Sequence, residues 1–226
     1  MRHKTARPFT LLELISVMGV IILLAAVAIP AYSSLFSGRK TTLAANQLNG
    51  AVMEARAHAV SAKVYTALIF VKDGKGYKSF RMAEVYHDPE ADSDGETSPY
   101  EWRRWAPGTA FVLLPENTSI PDSSSNEELG IVQSSDTENQ SEIAKGNDKL
   151  PEVTKLTNSG ISGSKAPAII FKPSGQLAGT GNKNVVVCFV ESNRYENESA
   201  ANKAPRLPLN INWLTCKTKF LDSWSK

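Results

Sequence analysis

Residues 9–32 read FTLLELISVMGVIILLAAVAIPAY, an apolar run that contains a single charged residue, Glu13. The preceding residues 1–8, MRHKTARP, carry two arginines and a lysine but no acidic residue. At about 1.5 Å per residue, the segment from Phe9 to Ile29 spans roughly the 30 Å of a bilayer core, which is longer than the apolar run of a secretory signal. We therefore expect one membrane-spanning helix, with its basic flank in the cytoplasm and the rest of the chain across the membrane.

Glu13 lies where an ionised carboxylate is unfavourable. An acidic side chain inside a membrane helix costs about 3 kcal/mol on insertion scales, and such residues commonly have a partner and a function. Cleavage of the chain just before Phe9 would create an α-amino group four residues away. A neighbouring copy could present that amine to Glu13. The carboxylate therefore predicts an assembly role, in which it pairs with the N-terminus of another subunit.

The stretch PFTLLELISVMGVIILLAAVAIPAY, residues 8–32, resembles the N-terminal signal and first helix of type IV pilins and type II secretion pseudopilins. In that family a membrane peptidase cuts before the Phe and methylates the new amine. The resemblance implies cleavage between Pro8 and Phe9, N-methylation of Phe9, and pairing of Glu13 with the amine of an adjacent subunit. Pro8 stands where the family usually has Gly, so a plain signal anchor with an uncleaved leader is the alternative.

The resemblance also implies a location and a set of partners. We expect a single-pass protein of the bacterial inner membrane, with a cytoplasmic N-terminus and a periplasmic head, that is incorporated into a pilus or pseudopilus. Its expected partners are other pilin or pseudopilin subunits, the prepilin peptidase, the inner-membrane assembly platform and a secreted substrate. The implied role is structural, in protein secretion, and requires no cofactor.

The rest of the sequence predicts an α+β fold. The helical period continues through residues 33–63, and six apolar or alternating runs follow between residues 64 and 220, the first two separated by the hairpin signal DGKG. This order predicts a long N-terminal helix packed on a mostly antiparallel sheet, the pilin fold in terms of the family. The expected domains are a leader at 1–8, a transmembrane or assembly helix at 9–32, its amphipathic continuation at 33–63, and a β-rich head at 64–226 with a polar insertion at about 116–165.

Two internal motifs resemble GspH-type minor pseudopilins and their FimT relatives. Ala55, Arg56 and Ala59 form an Ala-Arg-x-x-Ala pattern where the helix approaches the first strand. Residues 171–175, FKPSG, resemble a Phe-x-Pro-x-Gly turn of the same proteins. Arg56 is equally explained as a surface helix residue and the second motif as an ordinary turn, so both motifs support the fold rather than any chemistry.

The central part of the chain is acidic. Residues 84–160 carry 16 acidic residues and five basic ones, which predicts either a solvated loop or a docking surface for a partner subunit. Part of this stretch imitates the ligand spacing of an EF-hand, which binds calcium through oxygen atoms. The candidate calcium ligands are Glu90, Asp92, Asp94, Glu96 and Glu101. An ordinary acidic turn is the alternative, because strands rather than helices are expected on both sides.

Composition argues against most catalytic classes. Two cysteines are too few for a disulfide scaffold, and three histidines argue against a histidine metal cluster. No recognisable nucleophile and base surround His87, so we expect no enzymatic activity. Cys188 and Cys216 fall in adjacent late strands, where they form either a disulfide or two buried thiols.

Residues 102–105 read WRRW, a basic and aromatic pattern. Arg103 and Arg104 could neutralise a DNA strand while the tryptophans stack on its bases. The acidic neighbours and the net charge of only +2 argue against this interpretation, and a plain strand is the alternative. A DNA-binding minor pilin of natural transformation and a membrane-anchored periplasmic calcium-binding module are thus the alternatives to a secretion subunit.

Overall fold

The computed structural model describes residues 11–74, 76–91, 98–121, 131–134, 150–156, 159–192 and 207–221, and over 27–38 it describes the backbone alone. The chain divides into two compact units, Met1–Arg39 and Lys40–Lys226.

The N-terminal unit contains the first part of helix α1, which runs from Leu11 to Ala62. Of the helix predicted across residues 9–63, the structure describes Leu11–Ala62. Eleven large apolar side chains between Leu11 and Leu24 are each at least 54% exposed. Among the residues that the structure describes, no helix combines the length and the apolar character needed to cross a membrane.

The C-terminal unit contains the second part of α1, which is amphipathic as predicted. Its buried side chains recur at the spacing of one helical face and are mostly small, so the sheet can approach closely: Ala44, Ala45, Leu48, Val52, Ala55 and Ala59. Lys63, directly after the helix, has a φ of 57°. This left-handed conformation is the usual way for a helix to end.

Twelve strands lie in the described part of the C-terminal unit. They are β1 Tyr65–Asp73, β2 Gly76–His87, β3 Tyr100–Trp105, β4 Val112–Leu113, β5 Thr118–Pro121, β6 Ile131–Ser134, β7 Glu152–Thr154, β8 Lys165–Phe171, β9 Leu177–Ala178, β10 Asn184–Glu191, β11 Leu207–Ile211 and β12 Thr218–Phe220. The six predicted runs are at residues 64–71, 76–86, 102–114, 166–175, 184–191 and 209–220. Each overlaps at least one strand, and the runs at 102–114 and 209–220 each overlap two. β1 and β2 form the predicted hairpin, in which Gly74 has a φ of 68°.

The sheet is more closed than the sequence predicts. β1 pairs with both β2 and β8, β2 pairs with β3, and β7 pairs with β3 and β8, so five strands form a ring. The β3–β7 pairing is parallel, whereas the other pairings are antiparallel. One buried cluster takes side chains from all five strands, and small residues are frequent in it: Ala67, Ile69, Ala83, Val85, Tyr100, Val153, Ala166, Ala168 and Ile170.

A second group of strands extends the sheet beyond the ring. β10 pairs with β5, β6 and β11, and β11 pairs with β12. Alternate residues of β10, namely Val185, Val187 and Phe189, share the main hydrophobic core with α1 and with the outward side chains of the ring. The second part of α1 therefore contributes to a core that both groups of strands share.

The stretch 116–165, expected to be a polar insertion, contributes three strands. β5, β6 and β7 all fall within it, and the side chains of Ile120, Ile131 and Val153 are buried. These are short strands whose pairing partners are distant in sequence. Polar segments separate these strands and dominate the hydropathy averaged over neighbouring residues. This is why the sequence predicts a polar insertion here.

We predict that Gly50→Ala stabilises the C-terminal unit by about 0.5–1 kcal/mol, because alanine loses less backbone entropy in a helix. Gly50 lies on an exposed face of α1, and a Cβ added there would meet nothing within 4 Å. The measurement is urea unfolding of the full chain in non-ionic detergent. Gly175→Ala is the control and is expected to destabilise, since Gly175 has a φ of +83° and its Cβ would lie 3.1 Å from Val60. An unchanged or lower midpoint for Gly50→Ala would contradict the prediction.

Candidate functional site

Glu13, the predicted assembly residue, lies in the N-terminal unit on the first part of α1. Glu13 lies in the first turn of the helix and its side chain is exposed. Pro8 and Phe9, the predicted cleavage residues, lie outside the described residues.

A second group of charged residues centres on Glu84 of β2, which is 2% exposed. Arg104 of β3 donates two hydrogen bonds to its carboxylate, from Nε to Oε2 at 2.8 Å and from Nη2 to Oε1 at 3.1 Å. Nε2 of His58 on α1 lies 3.3 Å from Oε1 of the same carboxylate. Nη1 of Arg103 lies 3.8 Å from Oε2. We call these four residues the Glu84 cluster.

A β-bulge explains why two consecutive arginines reach one carboxylate. Glu84 is opposite Arg104 and Val85 is opposite Trp102, so Arg103 is an extra residue on β3 without a partner of its own on β2. A bulge of this kind re-aims a side chain that strict alternation would send to the other face. Trp102 meanwhile packs against the cluster that fills the ring.

The bidentate hydrogen bond from Arg104 is the main reason why the pKa of Glu84 lies below its ordinary value. Burial opposes this shift, and the hydrogen bond with His58 adds to it. The same interaction with Glu84 raises the pKa of Arg104. The carboxylate is therefore ionised at neutral pH and holds Arg104 in a fixed orientation at the surface.

Glu84 was missed at the sequence level, although a signal for it exists. It follows Phe80 and Met82 at the alternating spacing of β2, and both of these are buried in the core shared with α1. An acid at the next inward position of such a strand requires a cationic partner. The structure brings Arg103 and Arg104 together with that acid, so Glu84 neutralises part of their charge.

The two internal motifs of the GspH-like resemblance meet in space. Nη1 of Arg56 donates a hydrogen bond of 2.6 Å to the carbonyl oxygen of Thr215. A Cβ on Gly175, at the end of the FKPSG turn, would lie 3.2 Å from Nε of Arg56. The motifs thus join α1, the turn after β8 and the C-terminal segment.

Cys188 and Cys216 are both buried and are not joined by a disulfide in the structure, which favours the second of the two alternatives. Cys216 belongs to the core shared with α1, whereas Cys188 packs with Val186 in a separate cluster. Alternation along β10 directs Cys188 away from that core, which separates the two sulfur atoms. The Sγ of Cys216 instead donates to the carbonyl oxygen of Gly175 at 3.3 Å, and burial raises the pKa of Cys216 to about 11.

The calcium candidates fall only partly within the described residues. Asp92, Asp94 and Glu96 lie outside them. Glu101 on β3 forms an ion pair with Lys155, and the backbone N–H of Glu90 donates to Oδ1 of Asp88 at 3.0 Å. Within the ranges that the structure describes, no group of three or more acidic, histidine or cysteine residues could hold a metal ion. Calcium binding stays a prediction.

Comparison with known proteins gives structural matches only. No family model matches the chain, and no curated protein does. The chain is similar to the minor pseudopilin EpsH from the type 2 secretion system of Vibrio cholerae, with 7% identity, a TM-score of 0.39, and coverage of 80% of this chain and 96% of EpsH. It is also similar to the type IV minor pilin FimU of Pseudomonas aeruginosa, with 12% identity, a TM-score of 0.39, and coverage of 81% and 89%.

Both similar structures belong to the class of protein that residues 8–32 resemble, that of pilins and pseudopilins. At these values the likeness carries no argument about partners or activity.

Proposed function

We propose that this chain is a minor pilin or pseudopilin, a non-enzymatic subunit that assembles through α1 into a pilus or pseudopilus of a protein-secretion system. The proposal includes cleavage between Pro8 and Phe9, N-methylation of Phe9, and an inner-membrane location before assembly. The observation that carries the proposal is the exposed apolar surface of α1 between Leu11 and Leu24.

That surface requires a non-aqueous environment or a partner. Burying one large aliphatic side chain is worth about 1.5–3 kcal/mol, so eleven such side chains left in water represent a large unfavourable free energy. The apolar run at 9–32 suits lipid before assembly and sister helices afterwards. Because lipid and a helix surface are equally apolar, close packing and polar contacts drive the association between helices.

Glu13 supplies the polar contact in this proposal. A carboxylate among apolar side chains gains most when it meets a cation in the same environment. The amine of Phe9 on a neighbouring subunit would provide that cation after cleavage. The pairing sets the axial position of one helix against the next, while apolar packing provides most of the affinity.

The test is incorporation of the full chain into filaments sheared from cells that express the cognate assembly machinery. We expect Glu13→Ala to lower the incorporated fraction at least about tenfold, the change that corresponds to 1.4 kcal/mol. Glu54→Ala is the matched control, because Glu54 is an exposed acid on the same helix within the C-terminal unit. Glu54→Ala should assemble like the unmodified chain.

Mass spectrometry of the mature chain provides an independent check. We expect a mass that begins at methylated Phe9. Incorporation of Glu13→Ala at the unmodified level, together with a retained leader at residues 1–8, would overturn the proposal. Chains that carry Pro8→Gly have the Gly that the resembled family uses, so they show whether Pro8 itself slows cleavage.

A further inference from the structure

A cationic and aromatic surface lies beside the Glu84 cluster. Cζ of Arg103 lies 5.1 Å from the ring centroid of Tyr86, whose side chain is 55% exposed. The side chains of Arg103 and Arg104 are 40% and 57% exposed. We call Tyr86, Arg103 and Arg104 the arginine platform.

The platform has more positive charge than the carboxylate behind it neutralises. Arg104 occupies both oxygens of Glu84 at 2.8 and 3.1 Å, and His58 approaches one of them. Arg103 is 3.8 Å from the carboxylate, beyond hydrogen-bond distance. The two arginines and Glu84 together carry a net charge of +1. Arg103 therefore keeps guanidinium donors that Glu84 does not bind, and its position is restricted by the bulge and by the Tyr86 ring.

This arrangement suits a carboxylate. A guanidinium group presents donors in a planar fork that matches the two oxygens of a carboxylate, and an aromatic ring below it limits its rotation. The buried acid orients Arg104 beside it, so a second carboxylate can be bound without much loss of side-chain entropy.

An acidic polypeptide fits the platform better than a nucleic acid does. A nucleic acid has a phosphate at every residue and needs a continuous cationic track. Here Glu101 on β3 is the register partner of Tyr86, and Asp88, two residues after Tyr86, directly follows the end of β2. A continuous polyanion would approach these carboxylates, whereas a peptide can place its acids over the platform and neutral residues over its edges.

We propose that the arginine platform is a docking site for an acidic segment of a neighbouring protein subunit, with Arg103 binding a carboxylate in bidentate fashion and Arg104 supporting it. The proposal rests on the proposed function, because assembly into a filament is what brings neighbouring subunits to the platform. It goes beyond that function by assigning a side-to-side contact to the C-terminal unit, separate from the contacts of α1.

The experiment is a fluorescence anisotropy titration of the full chain in non-ionic detergent at low salt. The probe is the labelled peptide Gly-Ser-Glu-Asp-Glu-Asp-Ser-Gly, compared with its amide counterpart Gly-Ser-Gln-Asn-Gln-Asn-Ser-Gly and with a short single-stranded oligothymidylate. We expect the acidic peptide to bind in preference to the other two probes. Arg103→Ala should weaken its binding about tenfold or more, because a charged hydrogen-bonded contact is lost.

Two further variants control for net charge and for geometry. Lys219→Ala removes one positive charge from an exposed position on β12 and should leave binding unchanged. Arg103→Lys keeps the charge but loses the planar fork, and should recover only part of the affinity. Thermal unfolding of each variant verifies that it is folded.

Three outcomes would overturn the proposal. The first is that the unmodified chain does not prefer the acidic peptide, and the second is that Arg103→Ala binds this peptide with the same affinity as the unmodified chain. The third is that oligothymidylate binds more tightly than the peptide and that Arg103→Ala abolishes this binding, which would assign the platform to nucleic acid. The titration needs no filament. A negative result therefore leaves the proposed function standing, and a failed filament assay leaves the platform standing.

Discussion

Phe189→Ala is expected to lower the free energy of unfolding of the C-terminal unit by about 3–5 kcal/mol, the cost of deleting a fully buried aromatic ring. Phe189 on β10 is 0% exposed and belongs to the core that α1 shares with both groups of strands. Its loss leaves a cavity where these elements meet. Since a mesophilic domain is commonly stable by about 5–15 kcal/mol, this is a large fraction of the total.

The measurement is urea unfolding of the full chain in non-ionic detergent, followed by tryptophan fluorescence. Phe220→Ala is the matched control, because Phe220 on the edge strand β12 is 42% exposed. We expect the control to cost less than about 1 kcal/mol. Equal losses for the two variants would mean that the helix and strands do not share one core around β10.

Glu84→Ala is expected to cost about 2 kcal/mol at neutral pH. Removing one member of a buried ion pair commonly costs about 3–5 kcal/mol, because the other charge is left without compensation. Here the side chain of Arg104 is 57% exposed and can recover water, which reduces the loss. Glu152→Ala is the control: Glu152 and Lys165 form an exposed pair with side chains 37% and 62% exposed, and we expect a change below about 1 kcal/mol.

The pH dependence of the stability of Glu84→Gln also tests the Glu84 cluster, because the direction of the expected change with pH is known. The pKa of Glu84 is lowered in the folded chain from an ordinary value of 4.5, so the folded state favours the ionised form. Its contribution to stability is complete well above pH 4.5 and is lost as the pH falls through the lowered pKa. We expect the unmodified chain to exceed Glu84→Gln in stability at neutral pH and to lose that advantage in acid. A stability difference between the two chains that does not change with pH would contradict a lowered pKa of Glu84 in the folded chain.

The course of α1 and most of the strands were predictable because their signals are local. Ala44, Leu48, Val52, Ala55 and Ala59 repeat at helical spacing, and the alternating runs predicted β1, β2, β8 and β10 closely. The ring was not predictable. Its closure depends on a parallel pairing of β3 with the three-residue strand β7, which lies within a polar stretch about fifty residues further along the chain.

The candidate functional sites were likewise predictable only in part from the sequence. Glu13 was recognisable because one charge in a long apolar run is unfavourable on the sequence alone. The arginines at 103 and 104 were recognisable as a basic pair, but their surroundings were not. The bulge on β3 and the approach of Glu84 determine that Arg104 hydrogen-bonds to the carboxylate while Arg103 lies 3.8 Å from it.

The order of residues was therefore sufficient to predict α1 and the apolar character of its first part, because hydropathy and helical period are properties of consecutive side chains. Folding in three dimensions was needed to close the ring, to keep Cys188 and Cys216 apart and to create the arginine platform. Each of these depends on which distant segments become neighbours, since a strand pairing or an ion pair is stable only when both partners are already held at bonding distance.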